Sequence, residues 1–305
     1  MKQLVILSGK GGTGKTSVAA ALAHLASLDL PVVLADADVD AANLELVLEP
    51  TRLEEHIFMG GQVAVIDPDL CQLCGICYDV CRFDAIIPGE DTYGVDALAC
   101  EGCASCLYQC PEDAIHTEEQ QAGLWFRSDT RFGPLFHAHL FAAQENSGKL
   151  VTLVKQHGRL LAMDECRELL IVDGPPGIGC PVISANAGAD LALLVTEPTV
   201  SGVHDLERIL GTVNHFRVPA LVLINKADIN PVHTATIEAY CQEQGIALVG
   251  KLPYDNAVTE AMVQGQPVTI YQPEGAMAGT LREVWARVRK HLNGAGSRTE
   301  VVGWS

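Results

Sequence analysis

Short apolar runs alternate with helix-length amphipathic stretches along most of the chain. The helix-length stretches include 17–28, 202–215 and 233–244. This alternation predicts an α/β fold with a doubly wound, mostly parallel sheet and helices on both faces. Ligands of such sheets bind beyond the carboxyl ends of the strands. The apolar runs of strand length are 2–7, 31–35, 169–172, 191–196, 220–224 and 247–251.

The first apolar run leads directly into a glycine-rich loop, GKGGTGKT at 9–16. A strand, then this loop, then a helix is the arrangement that makes GxxxxGK[ST] a phosphate-binding loop. Its glycines let backbone N–H groups face the phosphates, Lys15 adds a positive charge and Thr16 a magnesium ligand. The predicted nucleotide-binding residues here are Gly11, Gly12, Thr13, Gly14, Lys15 and Thr16.

Eight of the eleven cysteines form two CxxCxxCxxxC runs, which begin at Cys71 and, 29 positions later, at Cys100. This spacing is typical of proteins with two [4Fe–4S] clusters, in which the fourth cysteine of each run ligates the other cluster. One expected ligand set is Cys71, Cys74, Cys77 and Cys110, and the other is Cys81, Cys100, Cys103 and Cys106.

Zinc and disulfides are the alternative interpretations of these cysteines. Zinc sites usually pair two CxxC units around a longer spacer. Disulfides need an oxidising compartment, and nothing in the sequence directs the chain out of the cell. The segment 62–117 resembles a bacterial-type two-cluster ferredoxin, although Arg82 stands where that pattern usually has a proline such as Pro111.

The phosphate-binding loop has a second lysine, Lys10, directly after its first glycine. Here the sequence resembles the deviant Walker A class of P-loop NTPases, which includes Min-system ATPases, ParA-type partition ATPases, Mrp-type cluster carriers and the nitrogenase iron protein. The resemblance implies an ATPase that forms a homodimer on binding ATP. It also implies that Lys10 reaches the partner's nucleotide and is catalytic together with Lys15.

Carboxylates follow two of the apolar runs. Asp36, Asp38 and Asp40 follow the second run, where one of them could cap a helix. Beside a phosphate-binding loop, carboxylates also hold magnesium and orient the attacking water. By resemblance to switch I of the family, Asp38 is the candidate for orienting water and Asp36 for lying near Mg²⁺, with the two roles open to exchange. Asp173 ends a buried run that resembles a Walker B strand, and the resemblance implies that Asp173 acts on magnesium.

Two further segments resemble the base-binding parts of these NTPases. Asn225 would hydrogen-bond the purine, but Asn225-Lys226-Ala227-Asp228 also matches the guanine signature NKxD. Pro253 lies in a segment that resembles the adenine-side loop of the family. Together with the deviant Walker A loop, these segments favour ATP over GTP.

The predicted organisation has four parts. Residues 1–60 form the first part of the ATPase domain, 61–118 an inserted small α+β ferredoxin-like domain, 119–292 a bridging segment and the rest of the ATPase domain, and 293–305 a flexible tail. The bridging segment, 119–146, is expected to form short strands. His137 and His139 alternate along it, and we interpret them as ordinary histidines rather than metal ligands.

Three cysteines lie outside the two runs. Cys166 and Cys241 are interpreted as small apolar packing residues. Cys180 lies just after switch II, near where the nitrogenase iron protein has a cluster ligand, but a structural role is favoured. An apolar stripe at 281–292 is better explained by a final helix packed on the sheet than by a membrane anchor.

The charge and composition limit the functional classes. Lys and Arg number 20 against 38 Asp and Glu, a net charge of −18, which argues against a nucleic-acid-binding face. The chain has neither a signal peptide nor an apolar run of about 18 residues. With free thiols and clusters that oxygen could damage, a cytoplasmic protein is expected.

Three hypotheses for the function remain. The first is an ATPase whose dimer switch gates electron transfer from the two clusters to an acceptor protein. The second is an ATP-dependent carrier or scaffold that assembles iron–sulfur or metal cofactors for a client protein. The third is a spatial organiser of the Min/ParA type whose clusters sense redox state. Four thiolates on each cluster favour electron transfer over a cluster that is handed on.

Overall fold

A computed structural model describes residues 1–142, 144 and 146–294. The strands are β1 (Lys2–Ser8), β2 (Val32–Asp36), β3 (Thr51–Ile66), β4 (Ile86–Ile87), β5 (Gly94–Val95), β6 (Ile115–Thr130), β7 (Gly133–Leu140), β8 (Leu169–Pro176), β9 (Leu191–Thr196), β10 (Ala220–Ile224) and β11 (Ala247–Lys251). The helices are α1 (Lys15–Ser27), α2 (Leu44–Leu48), α3 (Ile76–Val80), α4 (Ser105–Gln109), α5 (Ser147–Asp164), α6 (Cys180–Asn186), α7 (Val200–His215), α8 (Pro231–Glu243), α9 (Asn256–Val263), α10 (Val268–Tyr271) and α11 (Ala276–Gly294).

The main sheet has the strand order β11-β10-β9-β1-β8-β2-β7-β6-β3. The pairings from β11 through to β7 are all parallel. The central strand β1 has no solvent exposure from Leu4 to Leu7, as expected for a parallel strand covered on both faces. The predicted α/β fold with a mostly parallel sheet is therefore confirmed.

The chain divides into two compact units. Unit 1 comprises 1–55, 125–139 and the chain from 147 onward, and unit 2 comprises 56–124 and 140–146. The predicted domain boundaries at 60/61 and 118/119 thus fall inside unit 2. The predicted boundaries differ from those of unit 2 because the long strands β3 and β6 each contribute residues to both units. A boundary placed close to the cysteine runs therefore leaves out the parts of β3 and β6 that belong to unit 2. The bridging segment contains β7 and most of β6 rather than only short strands.

Unit 1 buries its core on both faces of the sheet. Leu4 and Ile6 of β1 share one apolar core with α1, α9, α10 and α11, while α5, α6 and α7 contact β2, β8 and β9. The stripe on α11 is buried from Leu281 to Leu292, so it packs in the core as expected. No helix in the described ranges is long and apolar enough to cross a membrane. The predicted tail lies outside the described residues from 295 on, and Asn293 and Gly294 end α11.

Unit 2 carries an internal repeat that is visible in the backbone. Helices α3 and α4 start 29 residues apart (76 and 105). Left-handed backbone conformations recur at the same offset, at Leu73 and Gly102 and at Asp84 and Asp113. Hydrogen bonds also repeat, since the N–H groups of Ala85 and Ala114 donate to sulfur atoms at 3.4 and 3.3 Å. The repeat in the cysteine spacing is therefore also a repeat in local structure.

Candidate functional site

The phosphate-binding loop joins β1 to α1 at the carboxyl edge of the sheet. Gly12 and Gly14 have φ angles of 78° and 86°, which favour glycine. A Cβ at Gly14 would also collide with the side-chain amide of Asn225. The backbone of the loop therefore depends on glycine at this position. Thr16 is the second residue of α1 and is half-buried.

Lys15 lies at the base of the loop in a buried charge cluster. Its Nζ is 2.8 Å from Oδ1 of Asp173 and 3.6 Å from Oδ2 of Asp38. Only 6% of the Lys15 side chain and 1% of the Asp173 side chain are exposed. Burial acts to lower the pKa of Lys15, but the neighbouring carboxylates outweigh it and hold that pKa above its usual value.

Asp36 ends β2 directly beside Asp173 of β8, with which it is in register. It is fully buried and accepts backbone N–H bonds from Leu44 at 2.9 Å and Asp38 at 3.1 Å. Burial and the charge of Asp173 raise the pKa of Asp36 to about 8, although both hydrogen bonds and Lys15 act in the opposite direction. Asp36 thus holds the start of α2, a capping role that the sequence left open between the aspartates.

Two buried oxygen atoms in this cluster have no hydrogen-bond partner. They are Oδ2 of Asp173 and Oγ1 of Thr13. A buried polar atom without a partner costs about 1–3 kcal/mol, so such atoms call for a ligand. A carboxylate oxygen and a hydroxyl are suitable donors for Mg²⁺ and for water around it. The residues present therefore fit a magnesium nucleotide.

Lys10 is bound within its own chain. Its Nζ lies 2.8 Å from Glu197 Oε1 and donates to Thr199 Oγ1 at 3.0 Å and Ser201 Oγ at 3.1 Å. Glu197 also pairs with Lys226 Nζ at 3.1 Å. Burial acts to raise the pKa of Glu197, but bonds from the two lysines outweigh it and lower that pKa. The sequence analysis missed Glu197, although its position directly after β9 at the ligand edge of the sheet was a usable signal.

The predicted base-binding residues are Asn225 and Pro253. Asn225 donates from Nδ2 to the carbonyl of Thr13 at 2.8 Å, and its Oδ1 accepts the N–H of Lys226 at 3.0 Å. The side chain therefore braces the phosphate-binding loop. Pro253 lines a cleft together with Asp228.

The eight repeated cysteines gather around two cavities of unit 2. Cys77 and Cys106 are buried at matching positions, and Cys74 and Cys103 are exposed at matching positions. Backbone N–H groups of Tyr93 and Leu73 lower the pKa of Cys71. The first cavity is lined by Cys71, Cys74, Cys77 and Cys110, and the second by Cys81, Cys100, Cys103 and Cys106.

The three remaining cysteines differ from one another. Cys241 is buried, as predicted. The prediction for Cys166 is wrong, because its side chain is exposed in the turn after α5, where its φ is 53°. Cys180, interpreted as structural, is also exposed, at the first position of α6. Neither Cys166 nor Cys180 is therefore a core residue.

A glycine-rich loop at the carboxyl edge of a parallel sheet, with a buried lysine and carboxylates, defines a P-loop nucleotide-binding protein. The family model of the CobQ/CobB/MinD/ParA nucleotide-binding domain matches residues 4–268. The chain belongs to this family.

Relatives extend the comparison over most of the chain. An uncharacterized protein of Methanocaldococcus jannaschii is 38% identical over 233 residues, which is 76% of this chain and 80% of the relative. The septum site-determining protein MinD of Bacillus subtilis is 27% identical over 291 residues, covering 93% and 88%.

Solved structures share the fold. MinD of Pyrococcus horikoshii, complexed with Mg-ADP, superimposes with a TM-score of 0.61 at 20% identity, covering 97% of this chain and 99% of that one. A MinC:MinD cell division protein complex of Aquifex aeolicus gives 0.57 at 17% identity, covering 100% and 98%.

The raised pKa of Asp36 makes a prediction for stability. Between pH 4 and 8 the folded protein keeps a proton on Asp36 that the unfolded chain has lost, so its contribution to stability falls as the pH rises. Asp36→Asn should flatten this fall. From pH 4 to pH 8 the free energy of unfolding should therefore fall less in the variant than in the parent.

Urea unfolding at several pH values, on nucleotide-free protein without added magnesium, measures this effect. Asp40→Asn is the matched control, because Asp40 is exposed in the same segment. Parallel pH profiles for Asp36→Asn and the parent would show that Asp36 is ionised in the folded protein.

Proposed function

We propose that this protein is an ATP-hydrolysing iron–sulfur protein in which ATP-dependent dimerisation gates electron transfer from two [4Fe–4S] clusters to a partner protein. The observation that carries the proposal is the presence, in one chain, of a phosphate-binding loop and two groups of four cysteines, each around its own cavity. Membership in a nucleotide-binding family supports the first half. The second half rests on the cysteines of this chain.

The nucleotide half follows from the buried charge cluster. Lys15 would neutralise charge on the transferred phosphate, and Thr16 and Asp173 would hold Mg²⁺, with Asp173 acting through water. Bound magnesium would supply further charge neutralisation at the phosphates. Asp38 reaches the same lysine at 3.6 Å and is half-buried. We assign to Asp38 the role of orienting an attacking water next to the phosphate.

The proposed ATP-dependent dimerisation depends on Lys10. An in-trans role requires Lys10 to exchange its contacts with Glu197, Thr199 and Ser201 for phosphate oxygens of the partner's nucleotide. Phosphate carries more negative charge than one carboxylate, and a charge-assisted bond to it compensates for the bonds that are lost. The contacts within the chain keep Lys10 from the partner's site until nucleotide is bound there.

The cluster half is supported by the local chemistry of unit 2. Amide N–H groups at Ala85 and Ala114 donate to Cys81 and Cys110 sulfur atoms. Such bonds stabilise thiolates and tune the potential of iron–sulfur centres. Four cysteines in each group would leave no open coordination position. A closed cluster suits electron transfer better than delivery to a client.

The partner is proposed to be a protein, by the analogy that the structural relative from Aquifex aeolicus is a complex of MinD with MinC. Net charge argues against nucleic acid, and the buried stripe on α11 argues against a membrane helix there. The reduced thiols fit a cytoplasmic location.

The two lysines of the loop should behave differently when changed. Lys15→Ala should abolish productive ATP binding, because the phosphates lose their buried charge partner. Lys10→Ala should leave binding by the monomer largely intact but block hydrolysis and ATP-dependent dimerisation. Nucleotide titration, phosphate release and light scattering measure the three properties, with the exposed Lys149→Ala as control. Normal turnover and dimerisation by Lys10→Ala would exclude the in-trans role.

The iron and sulfide content of the purified protein tests the cluster proposal. Protein purified without oxygen should contain about eight irons and eight acid-labile sulfides per chain. Cys110→Ser should disturb the cluster held by Cys71, Cys74 and Cys77, whereas Cys166→Ser, at an exposed cysteine outside both groups, should not. Metal analysis and electron paramagnetic resonance measure both effects. Stoichiometric zinc in place of iron would overturn the cluster proposal.

Redox titration with and without ATP tests the gating itself. The cysteine segment lies in sequence between the Asp36–Asp40 segment and Asp173, so a change at the phosphates has a direct chain connection to it. A coupling of about 1–3 kcal/mol corresponds to a shift of roughly 40–130 mV for one electron. Reciprocity requires reduction to change the affinity for ATP by the same factor. Identical titration curves would favour the cofactor carrier or scaffold over the gated electron donor.

A further inference from the structure

Two histidines of β7 face one glutamate of α2 within unit 1. His137 and His139 are two residues apart and therefore project from the same face of the strand. His137 Nδ1 lies 3.0 Å from Oε2 of Glu45, and His139 Nε2 lies 3.2 Å from Oε1. One carboxylate therefore contacts two imidazole rings, and the three groups could together hold a metal ion.

His137 has the environment of a metal ligand. It is 1% exposed, and its Nε2 lies 2.9 Å from the hydroxyl of Ser128. Histidines that bind metal commonly have the second ring nitrogen fixed in this way by an outer partner, which sets the tautomer. If Nε2 carries the proton toward Ser128, Nδ1 presents a lone pair toward Glu45.

Nδ1 of His137 makes no hydrogen bond, although Oε2 of Glu45 is 3.0 Å away. The oxygen therefore lies to one side of the direction in which a ring N–H would point, since a hydrogen bond needs alignment. A cation between the two atoms requires such an offset. Ligand atoms about 2.0–2.1 Å from a tetrahedral Zn²⁺ are about 3.3 Å from each other, and ligand atoms of the three residues, one from each, lie within 4.8 Å of one another.

We propose that Glu45, His137 and His139 bind a Zn²⁺ ion, with Ser128 as the outer partner that orients His137. Two imidazoles and one carboxylate match the preference of zinc for nitrogen and oxygen ligands, while Mg²⁺ and Ca²⁺ prefer oxygen alone. Glu45 is 23% exposed and His139 40% exposed, which gives the ion a path from solvent and room for a water as fourth ligand. The inference replaces the interpretation of these histidines as ordinary.

Zinc binding to protein that already contains its iron–sulfur clusters tests the site. Zn²⁺ is titrated anoxically against a chelating dye, and bound zinc is counted after gel filtration. The parent should bind one zinc per chain. Affinity should fall by at least about 10-fold in His139→Gln and Glu45→Gln, which change partly exposed side chains, and by about 10-fold in Ser128→Ala.

His204→Gln is the matched control, because His204 is 69% exposed and lies 3.8 Å from Glu207 as a histidine–glutamate pair without a second histidine. It should bind zinc as the parent does. Co²⁺ in place of Zn²⁺ reports the ligand type, and the spectrum should lack the sulfur-to-cobalt charge-transfer band of a cysteine site. Equal binding by the parent and His139→Gln, a cysteine-type cobalt spectrum, or no bound zinc would each overturn the proposal.

Discussion

The buried pair of Lys15 and Asp173 is the interaction on which the nucleotide site depends. The two side chains meet at 2.8 Å where β1 and β8 lie side by side, and both are almost fully buried. Removing one partner from such a pair costs about 3–5 kcal/mol, because the other charge is left buried and alone. A phosphate that pairs with Lys15 in place of Asp173 must therefore bind together with a cation, which neutralises the charge of Asp173. In the proposed function, this requirement makes binding of ATP and binding of Mg²⁺ interdependent.

Lys10, at the rim of the site, must also exchange an ion-pair partner when nucleotide binds in the proposed dimer. Lys10 is charged and 29% exposed, and Glu197 holds it in its own chain together with Lys226. A partly exposed pair of this kind contributes less than a buried one, so the exchange of Glu197 for a phosphate oxygen costs less than the corresponding exchange at Lys15. Exchanging the contacts of Lys15 therefore costs more free energy than exchanging the contacts of Lys10. This difference suits a fixed role in binding for Lys15 and a conditional role for Lys10.

The sequence predicted those parts of the molecule in which local pattern and chemistry agree. The strand–loop–helix order at Lys15 and the apolar runs of the parallel sheet follow directly from spacing and periodicity. Partners distant in sequence could not be predicted in this way. Glu45 and His137 have no motif, and they come together only in the folded sheet, whereas Glu197 could be placed at the ligand edge from its position after β9 but could not be paired with Lys10. Cys166 shows the same limit, because its exposure is set by the turn that ends α5 rather than by its residue type.

The helix α2 connects the charge cluster to the proposed zinc site. A five-residue helix has little stability of its own, because nucleation costs more than so few hydrogen bonds return. Its position therefore depends on tertiary contacts, which are the burial of Leu44, Val47 and Leu48 in the core and the bond from Leu44 N–H to Asp36 at 2.9 Å. Glu45 is the next residue, so the carboxylate facing the two histidines is held in place by an aspartate of the nucleotide site. Any change in the charge or ligation of Asp36 acts on the backbone that presents Glu45, and an ion held by Glu45 would in turn restrain Asp36.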